Sequence, residues 1–140
     1  MKEVTFNFDG ENFVVVGASS GIGRQIALEL AESGANVLAV ARNEDRLKKL
    51  QSQYPKKIEI AMVDVMTATD DNWCEILENF VEQHGKINGG VYTAGITGAT
   101  PLRMYDENLA KSIIETSIGG GYYFYIMPQE KNLPPNLSLM

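Results

Sequence analysis

The sequence has little cysteine, little histidine, a deficit of positive charge and no long apolar run. A single cysteine, Cys74, stands among 140 residues, so no internal disulfide can form, which agrees with a reducing compartment. Cys74 reads as a small residue on or beside a helix's buried face. No stretch approaches the ~20 apolar residues of a bilayer span. Acidic and polar residues also interrupt the opening "MKEVTFNFDGENF", where a secretory leader would carry its apolar core. The expectation is therefore a cytoplasmic protein with no membrane partner. Twelve basic against eighteen acidic side chains give a net charge of −6, and Lys and Arg cluster only in the helix-end "RLKK". Nucleic acid is not an expected partner. The one histidine, His84, precedes the helix-ending Gly85 and reads as a cap on the last carbonyls. No metal site is expected.

What is present is an alternation of apolar strands and amphipathic helices. "FVVV" (13–16) ends at Gly17, and Ile22, Ile26, Ala27 and Leu30 then recur at helical spacing until Gly34. "NVLAVA" (36–41) is a second strand, Leu47, Leu50 and Tyr54 mark a helix ended by Pro55, and "IEIAMVDV" (58–65) is a third strand. Glu44 and Asp45 at the start of that second helix, with Lys48 and Lys49 nearer its end, suit the helix dipole. Trp73, Ile76, Leu77, Phe80 and Val81 step at i, i+3, i+4, i+7 and i+8, the strongest amphipathic signal in the chain. A fourth strand is expected near "GGVYTAG", and a last helix through Leu109, Ile113, Ile114 and Ile118 runs into Gly119, Gly120 and Gly121. Strands alternating with helices of this length predict βαβ units, a parallel sheet and right-handed crossovers. The domain boundary falls at 1–127, and the proline-rich 128–140 reads as an irregular tail.

A parallel strand that turns through glycines into a helix offers backbone N–H groups and the positive end of the helix dipole, for which phosphate is the natural occupant. Gly17 would let the chain turn, Gly21 would let the backbone approach a pyrophosphate, and Gly23 would let the helix pack closely. The alternative is a glycine-rich turn with no ligand.

"GASSGIG" (17–23) closely resembles the cofactor motif of the short-chain dehydrogenase/reductase family. "VLAVARNEDRL", "VDV" (63–65), "HGKINGGVYTAGI" and "ETSIGG" match in order, so the resemblance runs from about Phe8 to Gly121. It implies a Rossmann-like, doubly wound α/β domain of about four parallel strands in the order 3-2-1-4. By the same resemblance Gly17, Ser19, Ser20, Gly21, Ile22 and Gly23 would surround the pyrophosphate and adenosine ribose. Asp64 would bond the adenine amino group with Val65 beside the ring, and Ala94 and Gly95 would lie against the nicotinamide ribose. The family's threonine before the first glycine is Val16 here, and its "NNAG" appears as "YTAG". Tyr92 and Thr93 thus replace both asparagines, which puts a fourth-strand brace in question.

Cofactor choice turns on the end of the second strand. An acid there accepts ribose hydroxyls and repels a 2′-phosphate, but the place is Ala41, followed by Arg42. NADP(H) is favoured over NAD(H), and the missing acid also argues against an S-adenosylmethionine fold. Arg42 as a mere surface cation fits poorly, because a cation at a helix start opposes the dipole.

The resemblance also identifies what is missing. The family's tyrosine acts with a lysine four residues on, yet the residues four after Tyr54, Tyr92, Tyr105, Tyr122, Tyr123 and Tyr125 are Ile58, Ile96, Leu109, Ile126, Met127 and Gln129. No catalytic pair is present. The family's helix asparagine falls at Ser117, whose hydroxyl cannot reproduce an amide. The expectation is a shortened gene product, a frame-shifted one or an incomplete piece of a longer one, carrying the NADP-binding half of an alcohol/carbonyl oxidoreductase, inactive alone. Its uncovered sheet edge and last helices would favour self-association. The rival readings are a non-catalytic nucleotide-binding or interaction protein that uses that edge, and a folded remnant that binds nothing. "YYFYIM" would extend the last helix or pair as a strand.

Overall fold

The computed structural model of the chain describes residues 4–96, 104 and 106–120. The expected tail at 128–140 and the "YYFYIM" stretch lie outside the described residues. Four strands, β1 (Asn12–Val16), β2 (Asn36–Ala41), β3 (Ile58–Met62) and β4 (Gly89–Tyr92), form one parallel sheet in the order β3-β2-β1-β4. Helices α1 (Gly21–Glu32), α2 (Glu44–Gln51) and α3 (Asp70–His84) make the crossovers, and α4 (Glu107–Ile114) follows β4.

The central strands read as continuous apolar runs because both faces of the sheet are covered. Val14 and Val16 of β1 and Leu38 and Val40 of β2 point to one face, where Trp73, Leu77 and Phe80 of α3 pack on them. Val15, Val37 and Ala39 point to the other, against Ala27 and Ala31 of α1 and Leu47 and Leu50 of α2. The buried side of α1 consists of Gly23, Ala27 and Ala31, small residues four apart that bring the helix close to the sheet. The start of α3 is fixed by reciprocal bonds between Thr69 and Asn72, a capping box with asparagine in the place usually held by Glu or Gln.

Three expectations need correction. The third strand ends at Met62 and not at residue 65, because Asp64 folds the chain into a turn. Its carbonyl accepts from the Thr67 and Ala68 amides, and its Oδ1 accepts from the Met66 amide at 2.9 Å. His84 does not cap α3; its imidazole pairs with Glu59 Oε1 of β3, while its backbone carbonyl accepts from Asn12 Nδ2 at 3.0 Å. The last helix is not uniformly α-helical, since a π turn, Glu115–Gly119, continues α4.

Candidate functional site

The ends of β1, β2, β3 and β4 meet at one edge of the sheet, with Val16 registered against both Val40 and Tyr92 and Ala41 against Met62. Strand order reverses at β1, so the loops that follow the strands part there and leave a crevice. A cleft of about 800 Å³ occupies this place.

Its floor is the glycine turn. Gly17 has φ +87, and a Cβ there would lie 2.6 Å from the Ala94 amide nitrogen and 2.7 Å from Thr93 Oγ1. A Cβ on Gly23 would collide with the Gly17 carbonyl oxygen and with Thr93 Oγ1, so α1 packs on the turn itself and on the end of β4. Gly21, with φ +57, has open space where its Cβ would be. Ser20 is the N-cap of α1 with extended backbone, and its side chain makes no capping bond. Ser20 therefore leaves the first turn of α1 without a side-chain cap, at residues that line the cleft.

Every residue expected to contact a cofactor lines this cleft: Ser19, Ser20 and Ile22 with the three glycines, Arg42 after β2, Asp64 and Val65 after β3, and Ala94 and Gly95 after β4. Asp64 spends one oxygen on the Met66 amide and retains acceptor capacity, because an ionised carboxylate has about four lone-pair sites. Ser117 is not among the lining residues. It is exposed, and its Oγ would lie 3.6 Å from a Cβ placed on Gly95, at the margin of the cleft.

The structure also gives roles to residues to which the sequence assigns none. Thr93 replaces the questioned brace. Its hydroxyl donates to the Val16 carbonyl at 2.9 Å and lies 3.4 Å from the Gly17 carbonyl, tying β4 to the glycine turn. Tyr92 has a separate role, because its hydroxyl donates to the Thr116 carbonyl at 2.5 Å within the π turn. Burial raises the Tyr92 phenol above the ordinary tyrosine range, so it is a neutral donor at physiological pH. Thr116 is buried at the cleft wall, and its hydroxyl donates to Met66 Sδ at 3.0 Å. Arg46, the third residue of α2, lines the cleft as well. Its spacing from Arg42 is the available signal, but only the packing of α2 on the sheet shows that this position borders the cleft.

Comparison with known proteins identifies this architecture. The family model for the short chain dehydrogenases matches residues 11–126. The chain belongs to the short-chain dehydrogenase/reductase family. An uncharacterized oxidoreductase of Staphylococcus epidermidis is 35% identical over 109 residues, covering 76% of this chain and 46% of the relative. A 3-oxoacyl-[acyl-carrier-protein] reductase of the same organism is 34% identical over 109 residues, covering 76% and 45%. Among solved structures, a short-chain dehydrogenase/reductase of the glucose/ribitol dehydrogenase type from Brucella melitensis superposes with a TM-score of 0.81 at 26% identity, over 96% of this chain and 53% of that one. An actinorhodin polyketide ketoreductase crystallised with NADPH gives a TM-score of 0.72 at 26% identity, over 84% and 46%. The chain thus spans about half the length of the curated relatives it matches.

Proposed function

We propose that this chain is the NADP(H)-binding portion of a short-chain dehydrogenase/reductase-type oxidoreductase. The observation that carries the reading is the pairing of the glycine turn with the end of β2. The uncapped start of α1 suits a pyrophosphate. Where a carboxylate would bind ribose hydroxyls stands Ala41, 8% exposed, with Arg42 beside it in the cleft. A bound nicotinamide dinucleotide supplies hydride transfer between an alcohol and a carbonyl. In this reading Gly17 and residues 19–23 hold the pyrophosphate and adenosine ribose, Asp64 and Val65 the adenine, and Ala94 and Gly95 the second ribose. Arg42 selects the 2′-phosphate.

The chain contains no Tyr-x-x-x-Lys sequence, and the reading assigns it cofactor binding without turnover. A cytoplasmic location agrees with the lone Cys74. Among the described residues no helix is long and apolar enough to cross a membrane. The test is a carbonyl-substrate screen with NADPH alongside binding by Arg42→Ala. The reading expects no turnover, and a fall in NADPH affinity without a matching fall for NADH. An unchanged affinity ratio in Arg42→Ala would remove the specificity assignment, and turnover would remove the inactive-alone assignment.

A second reading rests on the open flank. β4 pairs only with β1 among the described strands, and Ile114 and Ile118 are 57% and 68% exposed. A nucleotide-binding protein that joins a partner or a second copy through this flank would have these features. A defined stoichiometric complex by light scattering would support it, and a clean monomer would oppose self-association.

A further inference from the structure

We propose that Met66 is a modification site, a thioether that a hydroperoxide oxidises to the sulfoxide, and that this change loosens the wall of the cleft. Its effect on cofactor binding rests on the NADP(H) reading; the oxidation itself does not. Met66 lines the cleft and is 38% exposed, so a small oxidant reaches it from solvent. It joins two parts of the cleft that lie 50 residues apart in the chain. Its amide donates to Asp64 Oδ1 at 2.9 Å, and its sulfur accepts from Thr116 Oγ1 at 3.0 Å. Thr116 anchors its segment: it is 6% exposed, whereas α4, which leads into the π turn, has no buried residue. Met62 and Met104 are more exposed than Met66, but neither lines the cleft.

The thioether sulfur is a weak acceptor, and the Thr116 hydroxyl engages one of its lone pairs. The other attacks an oxygen of the peroxide. The S–O bond forms as the O–O bond breaks, and the leaving oxygen takes the proton of the attacked hydroxyl; with hydrogen peroxide the products are the sulfoxide and water. Sulfur gives up a pair of electrons and the peroxide gains it. A flexible apolar side chain thereby becomes polar and chiral. To keep the Thr116 hydroxyl bonded, the new oxygen must stand between it and the sulfur, which pushes the Asp64 turn and the π turn apart. The π turn cannot answer by closing on β4. Its carbonyl at Thr116 already accepts from the Tyr92 hydroxyl, and a Cβ on Gly120, which follows it, would collide with that same hydroxyl. Either the wall moves outward or the buried Thr116 hydroxyl loses its partner, which is unfavourable. Both outcomes loosen the wall and, through the same residue, the turn that presents Asp64. A methionine sulfoxide reductase reverses the step, the oxygen leaving as water while a dithiol is oxidised to the disulfide.

The test treats the 140-residue chain with hydrogen peroxide, locates sulfoxides by peptide mass spectrometry, and reads thermal unfolding and NADPH titration before and after. Wild type is expected to carry the sulfoxide at Met66, to melt about 4 °C lower and to bind NADPH about fivefold more weakly. Sulfoxide reductases for both epimers, supplied with a dithiol, should restore both values on the same wild-type sample. Met66→Leu, close in volume and without an oxidisable sulfur, should show no change on treatment relative to its own untreated sample. Met62→Leu should respond as wild type does, and untreated Met66→Gln should resemble the oxidised chain. A Met66 that stays reduced while Met62 and Met104 convert overturns the proposal. So does an unchanged melting temperature once Met66 is oxidised, or a full response in Met66→Leu. A melting shift with unchanged NADPH affinity overturns the link to the cleft. An untreated chain that binds no NADPH overturns the NADP(H) reading, and the oxidation and melting results then decide the modification site by themselves.

Discussion

The hydroxyl of Thr93 donates to the carbonyl oxygen of Val16 across 2.9 Å, fastening the end of β4 to the end of β1 beside the glycine turn. The hydroxyl oxygen itself occupies the space that a side chain on Gly17 or Gly23 would need. Turn, helix and fourth strand are thereby locked to one another by a single small polar residue.

Thr93→Val keeps the shape and removes the hydroxyl, leaving Val16 without this bond. A loss of about 1 kcal/mol in unfolding free energy is expected, with weaker dinucleotide binding because the turn loosens. Denaturant unfolding and a binding titration on the same preparation check it.

Gly17→Ala meets both a positive φ and a backbone neighbour at 2.6 Å. Because backbone cannot step aside as a flexible side chain can, the substitution should cost more than about 2 kcal/mol and abolish cofactor binding. Gly21→Ala has the same kind of φ but open space, so its stability loss should be smaller, about 1 kcal/mol. Thermal unfolding of the two variants side by side reads the difference.

Much of this was legible in the sequence, for identifiable reasons. β2 was readable to the residue because a buried parallel strand is an unbroken apolar run, here Val37 to Ala41 after the polar Asn36. The parallel sheet followed from the βαβ alternation, and its strand order from the family resemblance. The end of β3 was misread because Val63 and Val65 continue the apolar pattern, while the turn is set by backbone bonds to Asp64. The roles of Thr93 and His84 depend on partners 77 and 25 residues away, and local pattern carries no record of such pairings. Arg46 went unnamed although the start of α2 at Glu44 is legible, because which side of that helix borders the cleft depends on how α2 packs on the sheet.

Tyr92→Phe should release the π turn from β4. The Thr116 carbonyl loses its donor, and unfolding free energy should drop by about 1 kcal/mol. The phenol is raised by burial, so the folded state holds its proton more tightly than the unfolded state. Its contribution is complete below the ordinary tyrosine range and falls as pH rises into and through the higher folded value. Wild-type stability should therefore decline above about pH 10, and Tyr92→Phe should show a shallower alkaline decline in denaturant titrations against pH.

Asn12 joins four partners at the opposite end of the sheet. Its side chain donates to the His84 and Lys86 carbonyls and accepts from Asn36 Nδ2, and its amide donates to Asn88 Oδ1. It is 3% exposed. Asn12→Ala keeps the backbone bond to Asn88 but leaves the His84 and Lys86 carbonyls and Asn36 Nδ2 without this partner, and should cost about 2–3 kcal/mol, with no change in the NADPH to NADH affinity ratio, since the cleft lies at the other ends of the strands. Urea unfolding and a paired cofactor titration check both halves of that expectation.

The most direct measurement is calorimetric titration of the purified 140-residue chain with NADPH and then with NADH. Saturable binding that prefers NADPH is the predicted result, and it would establish the glycine turn and Arg42 as a working site. Binding of neither dinucleotide, or a preference for NADH, would contradict it.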